Sequence, residues 1–241
     1  AAYNRDFGLH SVGGLFSIEK SESETEYLYG MVTNPYEFTT GQSNSVDWNS
    51  TPSTEFTRFE SGNLSYIGRL NYSYADKYLF EFLLRSDAST KFAPENYWGF
   101  FPTGSFGWVA SEEKFLKDKE WLDFLKIKAS TGLLGTDNYF DFFLFESRWN
   151  TSQSTHFGPK LEEDVNTSTL VHVGNPDLTW EKSFEINIGA EASFLNCLTA
   201  DFNYFNNYRY DILTPTTSFS SINGGELMYR NYGSVRNQGV E

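Results

Sequence analysis

The sequence predicts an all-β chain of antiparallel strands, on three observations. Apolar and polar residues alternate with period two over several long segments, as in a strand whose two faces meet different surroundings. Aromatic residues make up 18% of the chain, with 23 Phe, 15 Tyr and 6 Trp against 2 Met, a bias that suits pleated surfaces better than helices. The connections between alternating segments are short at one set of ends and long at the other.

Alternation is clearest from 64 to 74, where Leu64, Tyr66, Leu70, Tyr72 and Tyr74 interleave with Ser65, Arg69, Asn71 and Ser73. Ala75-Asp76-Lys77 is long enough only for a tight turn. Beyond it Tyr78, Phe80, Phe82 and Leu84 alternate with Leu79, Glu81, Leu83 and Arg85, which reads as a hairpin. A second hairpin is expected from 180 to 194 and onward from 198, turning at Leu195-Asn196-Cys197. Weaker strands are read at 7–19, 99–110, 125–133 and 228–241, giving about eight in all. Between them, 20–63, 86–98, 134–179 and 212–227 read as loops, and 111–124 as a short helix N-capped by Ser111.

A soluble sandwich has no reason to sort its connections by length. A transmembrane antiparallel barrel does, with short turns on the periplasmic side and long loops outside. No apolar run approaches the roughly 18 residues of a membrane-crossing helix, which leaves a β-barrel untouched because barrels span with short alternating strands. Ala1 to Leu9 shows no basic-then-apolar leader pattern.

Charge and chemistry narrow the function. A net charge of −14 repels phosphate backbones and argues against nucleic acid as a partner. The single Cys197 offers neither an internal disulfide nor a cysteine metal set, and His10, His156 and His172 lack metalloprotease spacing. Glu112-Glu113 and Glu162-Glu163-Asp164 are sequence neighbours, which does not by itself set the separation of a glycosidase pair. No catalytic residue, metal or cofactor is expected, and the chain is not read as an enzyme.

Five segments carry a resemblance. YIGRLNYSYADKYLFEFLLRSDASTKFA at 66–93, YWGFFPTGSFGWVASEEKF at 97–115, LKIKASTGLLGTDN at 125–138, NPDLTWEKSFEINIGAE at 175–191 and GSVRNQGVE at 233–241 together resemble the barrel of SusC-like (SusC/RagA) TonB-dependent transporters of the Bacteroidetes outer membrane. The resemblance implies a wall of about 22 strands around a plug, of which about eight strands are roughly a third. It implies TonB-dependent import of oligosaccharides or peptides, a SusD-like surface lipoprotein as partner, and coupling to TonB-ExbB-ExbD through a plug region. Residues 1–241 are read as part of that barrel, without plug domain or TonB box.

Site residues follow from the two strand faces. Tyr66, Tyr72, Tyr74, Tyr78, Phe80, Phe82, Phe184 and Phe202 are expected to face lipid, and Trp108 and Trp180 to join Tyr74 and Tyr78 in the interfacial girdles. Arg69, Asn71, Glu81, Arg85, Lys126, Lys128, Glu181, Glu185, Asn187, Glu191, Asp201, Asn203 and Arg209 are expected to line a hydrated lumen, since such a density of charge is costly in a dry core. Trp48, Tyr97, Tyr139 and Trp149 fall in loops and are candidates to stack on substrate. Two rival readings are a secreted carbohydrate-binding β-sandwich, which would bury the Tyr66/Leu70/Tyr72 and Phe80/Phe82/Leu84 faces under a second sheet, and a complete small barrel with an adhesin or structural role.

Overall fold

The computed structural model describes residues 1–31, 53–117, 119–137, 142–157, 163–216 and 228–241. It contains β1 (Ala2–Phe7), β2 (His10–Met31), β3 (Ser53–Tyr74), β4 (Tyr78–Ser89), β5 (Trp98–Val109), β6 (Leu122–Thr136), β7 (Arg148–Phe157), β8 (Glu163–His172), β9 (Glu181–Phe194), β10 (Leu198–Thr216) and β11 (Met228–Val240). Nine strands form one sheet in the order β1-β2-β3-β4-β5-β6-β9-β10-β11, while β7 and β8 pair separately. The chain divides into two compact units, residues 1–20 with 63–241, and residues 21–62.

The expected hairpins are present. Tyr74 pairs with Tyr78 around the 75–77 turn, and Phe194 with Leu198 around 195–197. Each turn places two consecutive residues in the left-handed region, Ala75 and Asp76 in one, Leu195 and Asn196 in the other, so the turn twists with the right-handed strands it joins. The Asp123 carboxylate accepts the Asn196 N–H at 2.6 Å, fixing the second turn.

Four expectations need correction. The segment 7–19 contains a turn: Phe7 pairs with His10 around Gly8, whose φ is +64°. A two-residue turn puts Phe7 and His10 on one face and so shifts the parity, which blurred the alternation there. Most of the described part of 20–63 is strand rather than loop, and so is much of 134–179. Residues 21–26 and 150–156 are polar at both sequence parities, so a backbone ladder forms there without an alternating apolar pattern to advertise it. In the 21–62 unit Arg58 bridges Glu24 at 2.8 Å and Glu60 at 2.6 Å, and the Tyr27 and Tyr29 rings stack. Finally, 111–124 holds no α-helix among its described residues. A single 3₁₀ turn spans Ala110–Glu112 without a side-chain cap, followed by isolated turns from Glu113 to Leu122.

The apolar core of the larger unit lies in the connections. Phe92, Phe101, Leu144, Leu178 and Trp180 form a buried cluster, with Tyr97, Leu133, Leu213 and Tyr229 against it. It sits at the end of the sheet opposite the tight turns, where β4 ends and β5 and β9 begin. Gly135 leaves room for it, because a Cβ there would run into the Phe101 ring. Asn side chains tie the connections together. Asn175 donates to the Tyr229 carbonyl at 2.8 Å, and Asn231 donates to the carbonyls of Thr179 at 2.8 Å and Asp211 at 2.7 Å. The Thr179 N–H closes the exchange on Asn231 Oδ1 at 3.1 Å.

Candidate functional site: two unlike faces of one sheet

Register assigns the faces, because directly opposed residues on neighbouring strands share one. A row through Asn71, Glu81, Ser105, Ser130, Asn187 and Phe205 crosses β3, β4, β5, β6, β9 and β10. One residue along, Tyr72, Phe80, Phe106, Ala129, Ile188 and Tyr204 form the next row on the other face. The sheet is therefore polar on one side and apolar on the other.

All the residues named above for the hydrated side share the polar face: Arg69 stands opposite Leu83, Arg85 opposite Ile67, Glu181 opposite Thr136 and Arg209 opposite Ser183. Lys126, Glu191 and Asp201 form one cross-strand row, and Gly189 and Asn203 stand beside Lys128 in the next. The Lys128 ammonium reaches Asp201 at 2.9 Å. Arg85 pairs with Asp87 at 2.7 Å and donates to Ser65 Oγ at 3.2 Å. Ser183 donates to Asn207 Oδ1 at 2.6 Å, and Asn207 donates to Glu185 at 2.8 Å. Glycines let the lysines lie along the sheet: a Cβ on Gly107 would stand 3.2 Å from Lys126 Cε, and one on Gly189 2.8 Å from Lys128 Cε. A cavity of about 900 Å³ opens on this face, lined by Asn71, Glu81, Lys126, Lys128, Asn187 and Asn203 among others.

The apolar face stays open. Leu70 is 61% exposed, Phe82 48% and Phe202 56%, with Tyr66, Tyr72, Tyr74, Phe80, Leu84 and Phe184 also exposed. Among the described residues no second sheet buries Tyr66/Leu70/Tyr72 or Phe80/Phe82/Leu84, as a soluble sandwich would require. At the tight-turn end Tyr74, Tyr78, Trp108, Ile127, Ala190 and Phe202 form one row, joined by His10, whose Nδ1 lies 2.8 Å from the Tyr72 hydroxyl and whose ring centroid lies 4.9 Å from that of Tyr74. At the far end the Tyr66 and Trp98 rings stack at 5.8 Å.

One expected girdle residue, Trp180, is placed differently. Trp180 is 4% exposed, packed on Phe92 and Phe101, with its indole N–H donating to the Tyr97 carbonyl at 3.2 Å. It precedes β9, so the parity of the ladder does not govern it, and it belongs to the core rather than to a girdle. Tyr97 is half-buried against the same cluster. Trp149, on β7, is 60% exposed. Trp48 and Tyr139 lie outside the described residues.

Sequence reasoning missed a polar knot at the tight-turn end. Glu113 accepts the Tyr78 hydroxyl at 2.8 Å and the Trp108 indole N–H at 3.5 Å, and Lys77 lies 3.6 Å away. The Tyr78 hydrogen bond above all, with the Trp108 bond and the Lys77 charge, holds the Glu113 carboxyl below its ordinary pKa despite some desolvation. Its members are scattered in sequence, so no local motif announces it. The Asn175 anchor was more legible: its Oδ1 accepts the Asp177 N–H at 3.1 Å, the Asx turn that Asn-Pro-Asp favours.

An antiparallel sheet with one exposed apolar face, a charged opposite face and connections sorted by length is the wall of an outer-membrane β-barrel. The chain belongs to the family of TonB dependent receptor-like β-barrels, whose model matches residues 2–241. It is 30% identical to TonB-dependent receptor P3 of Formosa agariphila over 99% of this chain and 23% of that protein. It is 34% identical to TonB-dependent receptor SusC of Bacteroides thetaiotaomicron over 74% of this chain and 18% of that protein. Among solved structures, the RagAB peptide importer in its "open-open" state matches with a TM-score of 0.81 at 24% identity, over 99% of this chain and 26% of that chain. The siderophore receptor PirA from Pseudomonas aeruginosa shares the fold at a TM-score of 0.51 and 14% identity, over 96% of this chain and 38% of that chain. The chain thus spans about a quarter or less of the curated relatives it matches, and those relatives are receptors rather than enzymes.

Proposed function

We propose that this chain supplies wall, lumen lining and part of the extracellular surface of an active importer, its apolar face turned to lipid and its polar face to the lumen and plug. The carrying observation is that one ladder separates an open apolar face from a charged one, with no second sheet over the apolar side among the described residues. Import is driven by TonB-ExbB-ExbD acting through a plug, and a SusD-like lipoprotein delivers oligosaccharides or peptides to the extracellular mouth. The relatives named SusC and RagAB support this reading, and the 60% exposure of Trp149 supports an aromatic contact with substrate.

The test uses the full-length transporter in its own host, with pools of labelled neutral oligosaccharides and labelled oligopeptides offered to cells with and without TonB and the neighbouring lipoprotein gene. Uptake of one pool that needs both is the expected result, and uptake indifferent to TonB sinks the reading. Trp149→Ala is expected to raise the half-saturating concentration about fivefold for a sugar substrate, the equivalent of about 1 kcal/mol of ring contact.

A further inference from the structure

Two strand pairs part at the end with long connections. β5 and β6 stay paired only as far as Thr103 opposite Gly132, while β4–β5 runs on to Ala88 opposite Trp98 and β6–β9 to Thr136 opposite Glu181. By register Gly135 belongs to the apolar face, two residues beyond Leu133 and its partner Phe184. Phe101 belongs to the polar face, opposite Arg85. Yet a Cβ on Gly135 would run into the Phe101 ring. The apolar side of one pair meets the polar side of the next only where the first lies over the second, so beyond Gly132 the β6–β9 pair crosses the polar face of its neighbours.

Two further contacts fix the same crossing. Gly99 stands on the polar face opposite Asp87, and a Cβ there would lie 3.2 Å from Trp180 Cδ1. Asp137, the residue after β6, accepts the Ser89 hydroxyl at 2.7 Å and the Asn63 side-chain amide at 3.4 Å, and its carbonyl accepts the Lys91 ammonium at 2.9 Å. Asn63 and Ser89 are directly opposed on the polar face of β3 and β4. β3 is three strands along the sheet from β6, about 14 Å in a flat ladder at about 4.8 Å per strand. Asp137 reaches it because the end of β6 folds back over β5 and β4, strands interior to the sheet.

The material under this crossing is packed as a core. Phe92, Leu178 and Ser89 are almost wholly buried, and Asn96 donates to the Pro176 carbonyl at 3.0 Å beside the bond from Trp180 to Tyr97. Segments that open in a working cycle are those with few buried apolar contacts. Lifting this one would expose the whole cluster and break the bonds at Asp137, Pro176 and Tyr97 together.

We propose that the extracellular ends of β6 and β9 are a fixed shelf over the polar face, past which cargo moves without displacing it. The proposal rests on the polar face being the lumen side of an importer, and the experiment separates the two. The full-length transporter is expressed in its own host as S89C/D137C and as N63C/S89C, and copper phenanthroline is added to the cells. Disulfide closure is read as loss of maleimide labelling after denaturation, and import with size-graded pools of labelled neutral oligosaccharides and labelled oligopeptides. Both pairs are expected to close, N63C/S89C reporting a folded β3–β4 ladder whatever happens at β6. Oxidised S89C/D137C is expected to import within twofold of the rate of the same protein reduced by dithiothreitol, with the same largest cargo. Closure of N63C/S89C without closure of S89C/D137C overturns the shelf. A tenfold or larger fall in import on oxidation, reversed by reduction, overturns its fixity and makes it a moving lid. Import by wild type that is indifferent to TonB sinks the importer reading instead, while the disulfide still decides the shelf. N63C/D137C keeps the test decisive if S89C/D137C does not reach the membrane.

Discussion

The molecule keeps its aromatic residues in two settings that differ in what does the burying. Phe92, Phe101 and Trp180 are closed in by protein at the end of the sheet with long connections, whereas Phe80, Phe82 and Phe202 are open along the sheet. Truncating a ring in the first setting leaves a cavity, whose cost adds to the lost transfer energy. In the second, on the function proposed above, lipid tails as apolar as a leucine fill the space. Packing order is thus concentrated where the chain leaves the ladder, and the ladder itself is held by backbone hydrogen bonds.

The comparison can be broken most sharply at Trp180. In the refolded full-length barrel Trp180→Ala is expected to cost about 3–5 kcal/mol, read as the shift in a urea unfolding curve in lipid vesicles, while Phe82→Leu on the open face should shift it by well under half of that. Equal shifts would mean that the two settings are not distinct. Next in size is Phe82→Arg, expected to cost about 2–4 kcal/mol because Phe82 lies between the two aromatic rows, away from either interface. The same measurement reads it, and a cost near zero would remove Phe82 from the lipid side.

Asn231→Ala tests whether the connections are fastened as tightly as their packing suggests. It removes bonds to the part-buried backbone groups of Thr179 and Asp211, an expected loss of about 1–3 kcal/mol with faster hydrogen exchange at 175–180. The smallest effect is expected at the tight-turn end. The depressed Glu113 carboxyl adds stability that is present above the unfolded pKa and is lost as pH falls through the lower folded value. Unfolding of wild type and Glu113→Gln should therefore diverge at neutral pH and converge in acid, and a gap independent of pH would assign the effect to packing.

How legible the fold was depended on whether a strand has one apolar face. β3 from 64, β4 and β9 announce themselves because Tyr72, Phe80 and Ile188 recur with period two against Asn71, Glu81 and Asn187. The outer half of β2 and all of β7 do not, since Ser21-Glu22-Ser23-Glu24 and Asn150-Thr151-Ser152-Gln153 offer no face to a hydrophobic core. The division of the site residues between two faces was also readable, because parity carries through each ladder. Trp180 was misread for the same reason: parity was extended one residue beyond the strand that enforces it. The Glu113 knot and the Asn231 latch join residues far apart in sequence, and only the folded chain brings them together.

β6 and β9 are sheet neighbours along their whole length, Thr136 facing Glu181, although residues 137–180 intervene. The excursion leaves and re-enters at one point, and its ends are fastened to the wall, with Leu144, Leu178 and Trp180 in the buried cluster and Asn175 donating to the Tyr229 carbonyl. Doubling the length of such an excursion costs only about 0.6 kcal/mol of closure entropy. Between those fastened ends the β7–β8 pair lies outside the nine-stranded sheet, so insertion or replacement there is expected to leave the register and the neighbours of β6 and β9 unchanged.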